Sequence, residues 1–67
     1  MFDKIKKQTK GKSFPIAGIN EQGEPTIIYH GVSEIGEFYR VDTAQANGWI
    51  RTNIYYSDGS GEELYDK

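Results

Sequence analysis

Side chains that could carry catalysis are few in this chain. His30 is the single histidine among 67 residues and there is no cysteine, so neither a histidine–cysteine metal cluster nor a thiolate nucleophile can form. A histidine-assisted serine would have to be Ser13 or Ser33, and position alone supports either. We therefore interpret His30 as a strand-end histidine packed beside Phe14, and we expect no cofactor and no metal.

Carboxylate pairs do not supply the missing chemistry. Glu62 and Glu63 are neighbours on a predicted strand, so their side chains point to opposite faces. Asp42 and Glu63 could flank Asn53, but acid–base catalysis needs a desolvated pocket that a thin sheet does not provide. The segment 58–61 is interpreted as a hairpin turn, since a calcium loop needs further acids at alternate positions. The sequence thus predicts a protein that is not an enzyme.

Aromatic and arginine side chains at alternate positions indicate binding instead. Trp49, Arg51 and Tyr55 share one face of a predicted strand, with Tyr65 expected opposite Arg51 and with Arg40 at the margin. Such a surface is typical of hot spots in protein interfaces. The alternative is that these side chains only stabilise the sheet or lie under the first hairpin. The favoured partner is a protein, or a second copy of the chain, bound through this face or by strand addition at an edge.

Charge divides the chain into a basic arm and an acidic body. Five lysines against one aspartate give residues 1–12 a net charge of +4, and residues 13–67 carry −6, which together make the net charge of −2. A second hypothesis is that the arm follows the phosphates of a single-stranded nucleic acid while aromatic rings stack on its bases. The acidic body opposes it. The alternatives are a solvated, partly disordered arm and an acidic mimic of nucleic acid, although the acids form no row. The lysines concerned are Lys4, Lys6, Lys7, Lys10 and Lys12.

The elements that position these residues are predicted to be strands. The length allows one domain, composed of the arm (1–12) and a β domain (13–67). Glycines punctuate runs rich in Ile, Val, Thr, Tyr and Phe. The connection 32–36 is short and compatible with one helical turn. The arm suits either a helical turn, because Phe2 and Ile5 stand three apart, or a strand over 3–9. The predicted strands lie near 13–19, 25–31, 37–45, 49–57 and 61–66.

Turn chemistry predicts the register of the central hairpin. The pair at 47–48, Asn-Gly, is typical of a two-residue type I′ loop, which places Val41 opposite Ile54 and Thr43 opposite Thr52. One face then carries these apolar and β-branched residues. The other face carries all of the predicted binding residues.

Three-residue loops with a left-handed glycine are predicted for the other two hairpins. The loop at 57–59 places Leu64 opposite Thr52, and the loop at 21–23 places Ile16 opposite Ile28. The predicted core therefore contains Ile16, Ile28, Val41, Ile50, Ile54 and Leu64.

The fold class that follows is mainly β, an antiparallel meander of five or six short strands in one small domain. Two architectures stay open: a curled, SH3-like half-barrel, and a plain sheet covered by the arm. No apolar run approaches 18 residues, and no apolar stretch follows the basic start. We expect a soluble cytoplasmic protein.

The ending GWIRTNIYYSDGSGEELYDK, which follows the strand FYRVDT, resembles the C-terminal meander of short uncharacterised proteins in Gram-positive bacteria and their mobile elements. The resemblance covers less than half of the chain and carries no site residues. It implies a bacterial accessory interaction protein rather than a housekeeping enzyme.

Overall fold

A computed structural model describes residues 1–66 as one helix followed by five strands. The strands form a single sheet in the order β1-β2-β3-β4-β5, and every neighbouring pair is antiparallel. The predicted meander is confirmed. The sheet is not closed, and the arm forms a short helix that packs against β3 on one of its faces. The elements are α1 (Phe2–Thr9), β1 (Ile16–Ile19), β2 (Pro25–Val32), β3 (Glu37–Ala44), β4 (Ile50–Tyr56) and β5 (Gly61–Asp66).

The first and last hairpins have the predicted loops. Gly23 and Gly59 adopt positive φ angles of 80° and 91°, as the third residue of such a loop requires. Ile16 lies opposite Ile28, and Thr52 lies opposite Leu64. The connection between β2 and β3 is a tight turn closed by mutual backbone hydrogen bonds between Ser33 and Gly36 of 2.8 and 3.0 Å, and it contains no helical turn.

The predicted register of the central hairpin is wrong by one residue. The Gln45 amide donates to the Trp49 carbonyl at 3.0 Å, so this loop also has three residues. Only Gly48 takes a positive φ, 86°, because Asn47 stays in the ordinary region and accepts a hydrogen bond from the Trp49 amide at 2.9 Å. Val41 consequently lies opposite Asn53. Since strand side chains alternate, this slip moves β4 and β5 to the other face relative to β3.

The core lies between α1 and one face of the sheet. Phe2, Ile5 and Thr9 recur at the spacing of one helical face, and this face packs on β3. Ile5 and Tyr39 are 6% and 4% exposed and are the buried apolar side chains within residues 1–66. The Thr9 hydroxyl donates to the Ile5 carbonyl at 2.8 Å, so its polar group is satisfied inside the helix.

The predicted core divides between the two faces. Ile16, Ile28 and Val41 lie half-buried on the same face as Tyr39. The other three lie on the opposite face, because the corrected register turns β4 and β5 over: Ile54 is half-buried, while Ile50 and Leu64 are exposed. Within residues 1–66 the structure contains no helix that could cross a membrane, because α1 has only eight residues.

Candidate functional site

The two faces of the sheet differ in what covers them. The covered face is the one that carries Tyr39 and packs against α1. The open face is the one that carries Ile27, Tyr29, Arg40, Ile50, Ile54 and Leu64. No element among residues 1–66 packs on the open face, where Ile27 is 40% and Leu64 is 54% exposed.

An ion pair occupies the middle of the open face. Arg40 donates from Nε to Asp42 Oδ1 at 2.9 Å and from Nη2 to Asp42 Oδ2 at 3.1 Å. This forked pairing raises the pKa of Arg40 above its ordinary value. The Thr52 hydroxyl donates to the same carboxylate at 2.9 Å, and the guanidinium lies 5.3 Å from the Tyr29 ring centroid. The charges therefore cancel within the chain, and the centre of the face is polar but neutral.

Aromatic rings extend the open face toward the end of the sheet where β3 begins. Phe38 and Tyr56 lie opposite each other, with ring centroids 6.0 Å apart. The Phe38 ring lies across Gly31, where an added Cβ would stand only 2.6 Å from Cζ, so glycine is needed for this packing. The Tyr56 hydroxyl donates to Glu62 at 3.5 Å. Partial burial, and then the charge of Glu62, raises the pKa of Tyr56.

Four of the five predicted binding residues lie on the covered face. Trp49 and Tyr65 are in contact, with ring centroids 5.1 Å apart, and Tyr65 lies opposite Arg51 as predicted. Tyr55 shares this face, opposite Tyr39. Arg40 lies on the open face, so the five residues do not form one surface. The physical reason is the one-residue slip at the central loop, which separates β3 from β4 and β5.

The Arg51 side chain packs within the sheet and is not freely exposed to solvent. Its Nη2 lies 4.0 Å from Glu24 Oε1, and its neighbour on β3 is Thr43. Its buried Nε finds no hydrogen-bond partner. The Tyr65 hydroxyl donates to Gln45 Oε1 and accepts from Asn47 Nδ2 at 3.4 Å. These contacts stabilise the sheet, in line with the alternative interpretation of this cluster.

The lysines of the arm line two grooves beside α1. Lys6, Lys7, Lys10 and Lys12 border a groove of about 400 Å³ whose floor includes Phe14. A groove of about 600 Å³ on the other side is bordered by Lys4 and Lys12, with apolar residues of the covered face below. Lys6 is partly engaged, because its Nζ lies 3.6 Å from Glu37 Oε1.

His30 belongs to an aromatic cluster under α1. Its ring centroid lies 5.2 Å from that of Phe14 and 4.9 Å from that of Tyr39. The interpretation of His30 as a histidine packed beside Phe14 is confirmed. Its Nε2 lies 2.6 Å from Glu37 Oε2, and this hydrogen bond lowers the pKa of Glu37 below its ordinary value.

The remaining candidates form structural contacts. Within the described residues, no three His, Asp or Glu side chains are grouped so as to hold a metal. The Ser60 hydroxyl donates to Asp58 at 2.5 Å and the Ser60 amide donates to it at 2.9 Å. The hydroxyl and then the amide lower the pKa of Asp58, and these contacts confirm that this segment is a hairpin turn.

Sequence reasoning missed the open face as a candidate site. The sequence places Leu64 in the predicted core and gives Ile27 and Tyr29 no role in a site, since the hairpin pattern alone does not tell which face is covered. The sequence of the central hairpin does contain a signal for the correct loop. Gly48 is the third residue of 46–48, just as Gly23 and Gly59 are the third residues of the loops at 21–23 and 57–59. Applied to 46–48, the same loop type gives the observed register.

Comparisons with known proteins identify no relative. The chain matches no protein-family model, no curated protein sequence and no solved structure. The resemblance of the C-terminal meander to small Gram-positive proteins therefore stays a prediction.

Proposed function

We propose that this chain is a non-catalytic protein-interaction module that binds a protein through the open face. The observation that carries this proposal is the uncovered apolar face on the opposite side of the sheet from α1. The absence of catalysis, the cytoplasmic location and the bacterial origin stay predictions.

The exposed surface of the chain supports the proposal. A compact monomer of this mass exposes about 4,300 Å², whereas the chain exposes 4839 Å². The excess follows from its shape, because a single sheet with one helix is only 16 Å thick. An exposed face with this many apolar side chains around a neutralised ion pair is typical of an interaction site in a small domain.

The chemistry of the open face also suits a protein partner. The open face carries three aromatic rings, Tyr29, Phe38 and Tyr56, together with aliphatic side chains such as Ile27 and Ile54, and the neutralised Arg40–Asp42 pair lies among them. Aromatic residues and arginine are the types enriched at energetic centres of interfaces. The face thus has aromatic and arginine character, although Arg40 is the one predicted binding residue that lies on it.

Site-specific photo-crosslinking in cells that express the full chain tests the proposal. A photoreactive residue at Ile27 or Ile50, on inner strands β2 and β4, is expected to give a discrete adduct that mass spectrometry identifies as a protein. The same residue at Ile35 or Val32 is the control, since both are exposed and apolar but lie off the open face. Adducts of equal yield at all four positions, or none from the open face, would contradict the proposal.

The lysine groove favours a second candidate function, the binding of single-stranded nucleic acid. Lys6, Lys7, Lys10 and Lys12 border a groove with an aromatic floor, which combines the cations and the stacking surface that such binding uses. This candidate places the stacking ring at Phe14 rather than at Trp49. Nuclear magnetic resonance (NMR) titration with short single-stranded oligonucleotides is expected to shift the arm and Phe14 together at physiological salt. Shifts limited to the arm that disappear with salt would contradict it.

A further inference from the structure

We propose that the protein partner of the open face is a second copy of this chain, packed sheet against sheet about a two-fold axis. This inference rests on the proposed function of the open face as a binding surface. It assigns the occupant from the size, the charge and the arrangement of that face.

The open face has the size that a stable dimer needs. The chain measures 32 by 24 by 16 Å overall. Five strands of up to eight residues, about 4.8 Å apart with a rise of about 3.3 Å per residue, form a face on the order of 600 Å². This area is at the lower end of the roughly 600–1,000 Å² that each partner buries in a standard interface. Self-association therefore needs no segment beyond the sheet itself.

The charges of the open face are complementary to those of the same face on a second copy of the chain. Arg40 and Asp42 lie two residues apart on the same side of β3, the central strand. If two copies of β3 cross antiparallel on the axis, each guanidinium faces the carboxylate of the other copy. Neither charge is left unpaired in the interface, which avoids the large cost of a buried ion without its partner. The further acids of this face, Glu62 and Asp66, lie on the edge strand β5, where an interface rim stays in water.

Dimerisation would also bury the apolar side chains of the open face, which one chain alone leaves exposed, in a second hydrophobic core. Two such faces at a spacing of about 10 Å form the inner layer of a β-sandwich. Ile27, Tyr29, Ile50, Ile54 and Leu64 of both copies would fill this layer. The two α1 helices would lie outside, on the covered faces. A chain of this length gains more from such burial than a larger domain does.

Sedimentation equilibrium of the full chain over a wide concentration range tests the inference. The wild type is expected to fit a reversible dimer. Ile27→Lys is expected to raise the dissociation constant at least about 100-fold, because the added charge is buried near the partner's guanidinium. In the monomer this lysine lies opposite Asp42, so the fold is retained, as a dispersed NMR spectrum would show. The matched control Ile35→Lys adds the same charge at an exposed turn residue and is expected to dimerise like the wild type.

A mixed sample of isotope-labelled and unlabelled chains identifies the contact surface. Intermolecular nuclear Overhauser effects (NOEs) are expected between open-face methyl groups, such as those of Ile54 in one copy and Leu64 in the other, because the row of Arg40 and Ile54 faces the row of Asp42 and Leu64 in this arrangement. A monomer at every concentration, a dimer equally stable in Ile27→Lys, or NOEs confined to strand edges would overturn the inference. The proposed function would survive if Ile27 and Ile50 still crosslinked to a different protein. Both would fail if neither dimer nor crosslink formed.

Discussion

The two faces of this sheet are formed by the same strands, yet one is covered by α1 and the other is exposed to solvent. On the covered face, α1 buries Tyr39 almost completely, and half-buried Ile28 and Val41 lie around it. On the open face, comparably apolar residues such as Ile27 and Leu64 stay in solvent. The difference teaches that the covering element, and not the hydrophobicity of a strand, decides which face becomes the core. Here that element is the lysine-rich arm, whose composition suggests a solvated charge run.

Polar contacts follow the same division. On the covered face, Glu37 forms a hydrogen bond with His30 on β2 and an ion pair with Lys6 on α1, so the ion pair helps to hold the helix on the sheet. On the open face, Arg40 and Asp42 form an ion pair with each other, and this pair holds no element from outside the sheet. Polar contacts therefore hold α1 on the covered face, whereas the polar contacts of the open face stay within the sheet.

The largest expected effect is the loss of the ring at the centre of the covered face. Tyr39→Ala is expected to lower the free energy of unfolding by about 3–5 kcal/mol, because it empties a site packed by Phe2, Phe14 and His30. Tyr29→Ala is the matched variant on the open face, and we expect a loss of less than about 1 kcal/mol. Urea denaturation at low protein concentration measures both. Equal losses would remove the distinction between the faces.

Ile54→Ala sharpens the comparison for β4. A core position would cost about 2–5 kcal/mol, as the sequence-based register implies for Ile54. The half-buried position on the open face leads us to expect a loss of about 1 kcal/mol in the monomer. The same denaturation experiment decides between the two, and a loss above about 2 kcal/mol would show that the open face is covered in solution.

Trp49→Ala separates sheet stability from binding. We expect a loss of about 1 kcal/mol, because the Trp49 ring packs on Tyr65 at the end of the covered face. Dimerisation is expected to be unchanged, since Trp49 lies opposite Gln45 and away from the open face. Sedimentation of this variant beside Ile27→Lys checks the expectation. A monomeric Trp49→Ala protein with an intact fold would return the binding site to the covered face.

The smallest expected effect concerns the pH dependence of stability on the covered face. The His30 hydrogen bond lowers the pKa of Glu37, so the folded state favours the ionised carboxylate. This stabilisation is present above the ordinary value near 4.5 and is lost as the pH falls through the lowered value. Glu37→Gln should flatten that part of the curve of melting temperature against pH. Glu34→Gln, the same charge change in an exposed turn, should not flatten it, and an unchanged curve in Glu37→Gln would contradict the contact.

Local signals in the sequence predict much of the fold. Gly23 and Gly59 specify their loops because each loop needs one left-handed residue, and the registers of β1–β2 and β4–β5 follow. The spacing of Phe2 and Ile5 suits the helix that forms. Arg51 and Tyr65 stay opposite each other because their register depends on the loop at Gly59 alone.

The central register and the site could not be predicted with the same success. Asn47-Gly48 fits two loop types, and the choice between them reverses the faces of β4 and β5 relative to β3. For this reason the register predicted from the sequence places Arg40 on the same face as Trp49. The packing of Phe2 and Phe14 on Tyr39 joins segments far apart in the chain, and no local pattern indicates it.

The most direct test of this account measures which face of the sheet water reaches. Methyl-labelled protein, at a concentration low enough to keep it monomeric, would be titrated with a soluble paramagnetic agent and followed by NMR. The account predicts strong broadening of the Ile27, Ile50 and Leu64 methyl signals and protection of Ile5. Protection of the open-face methyl groups in the monomer, or broadening of Ile5 to the same extent, would contradict it.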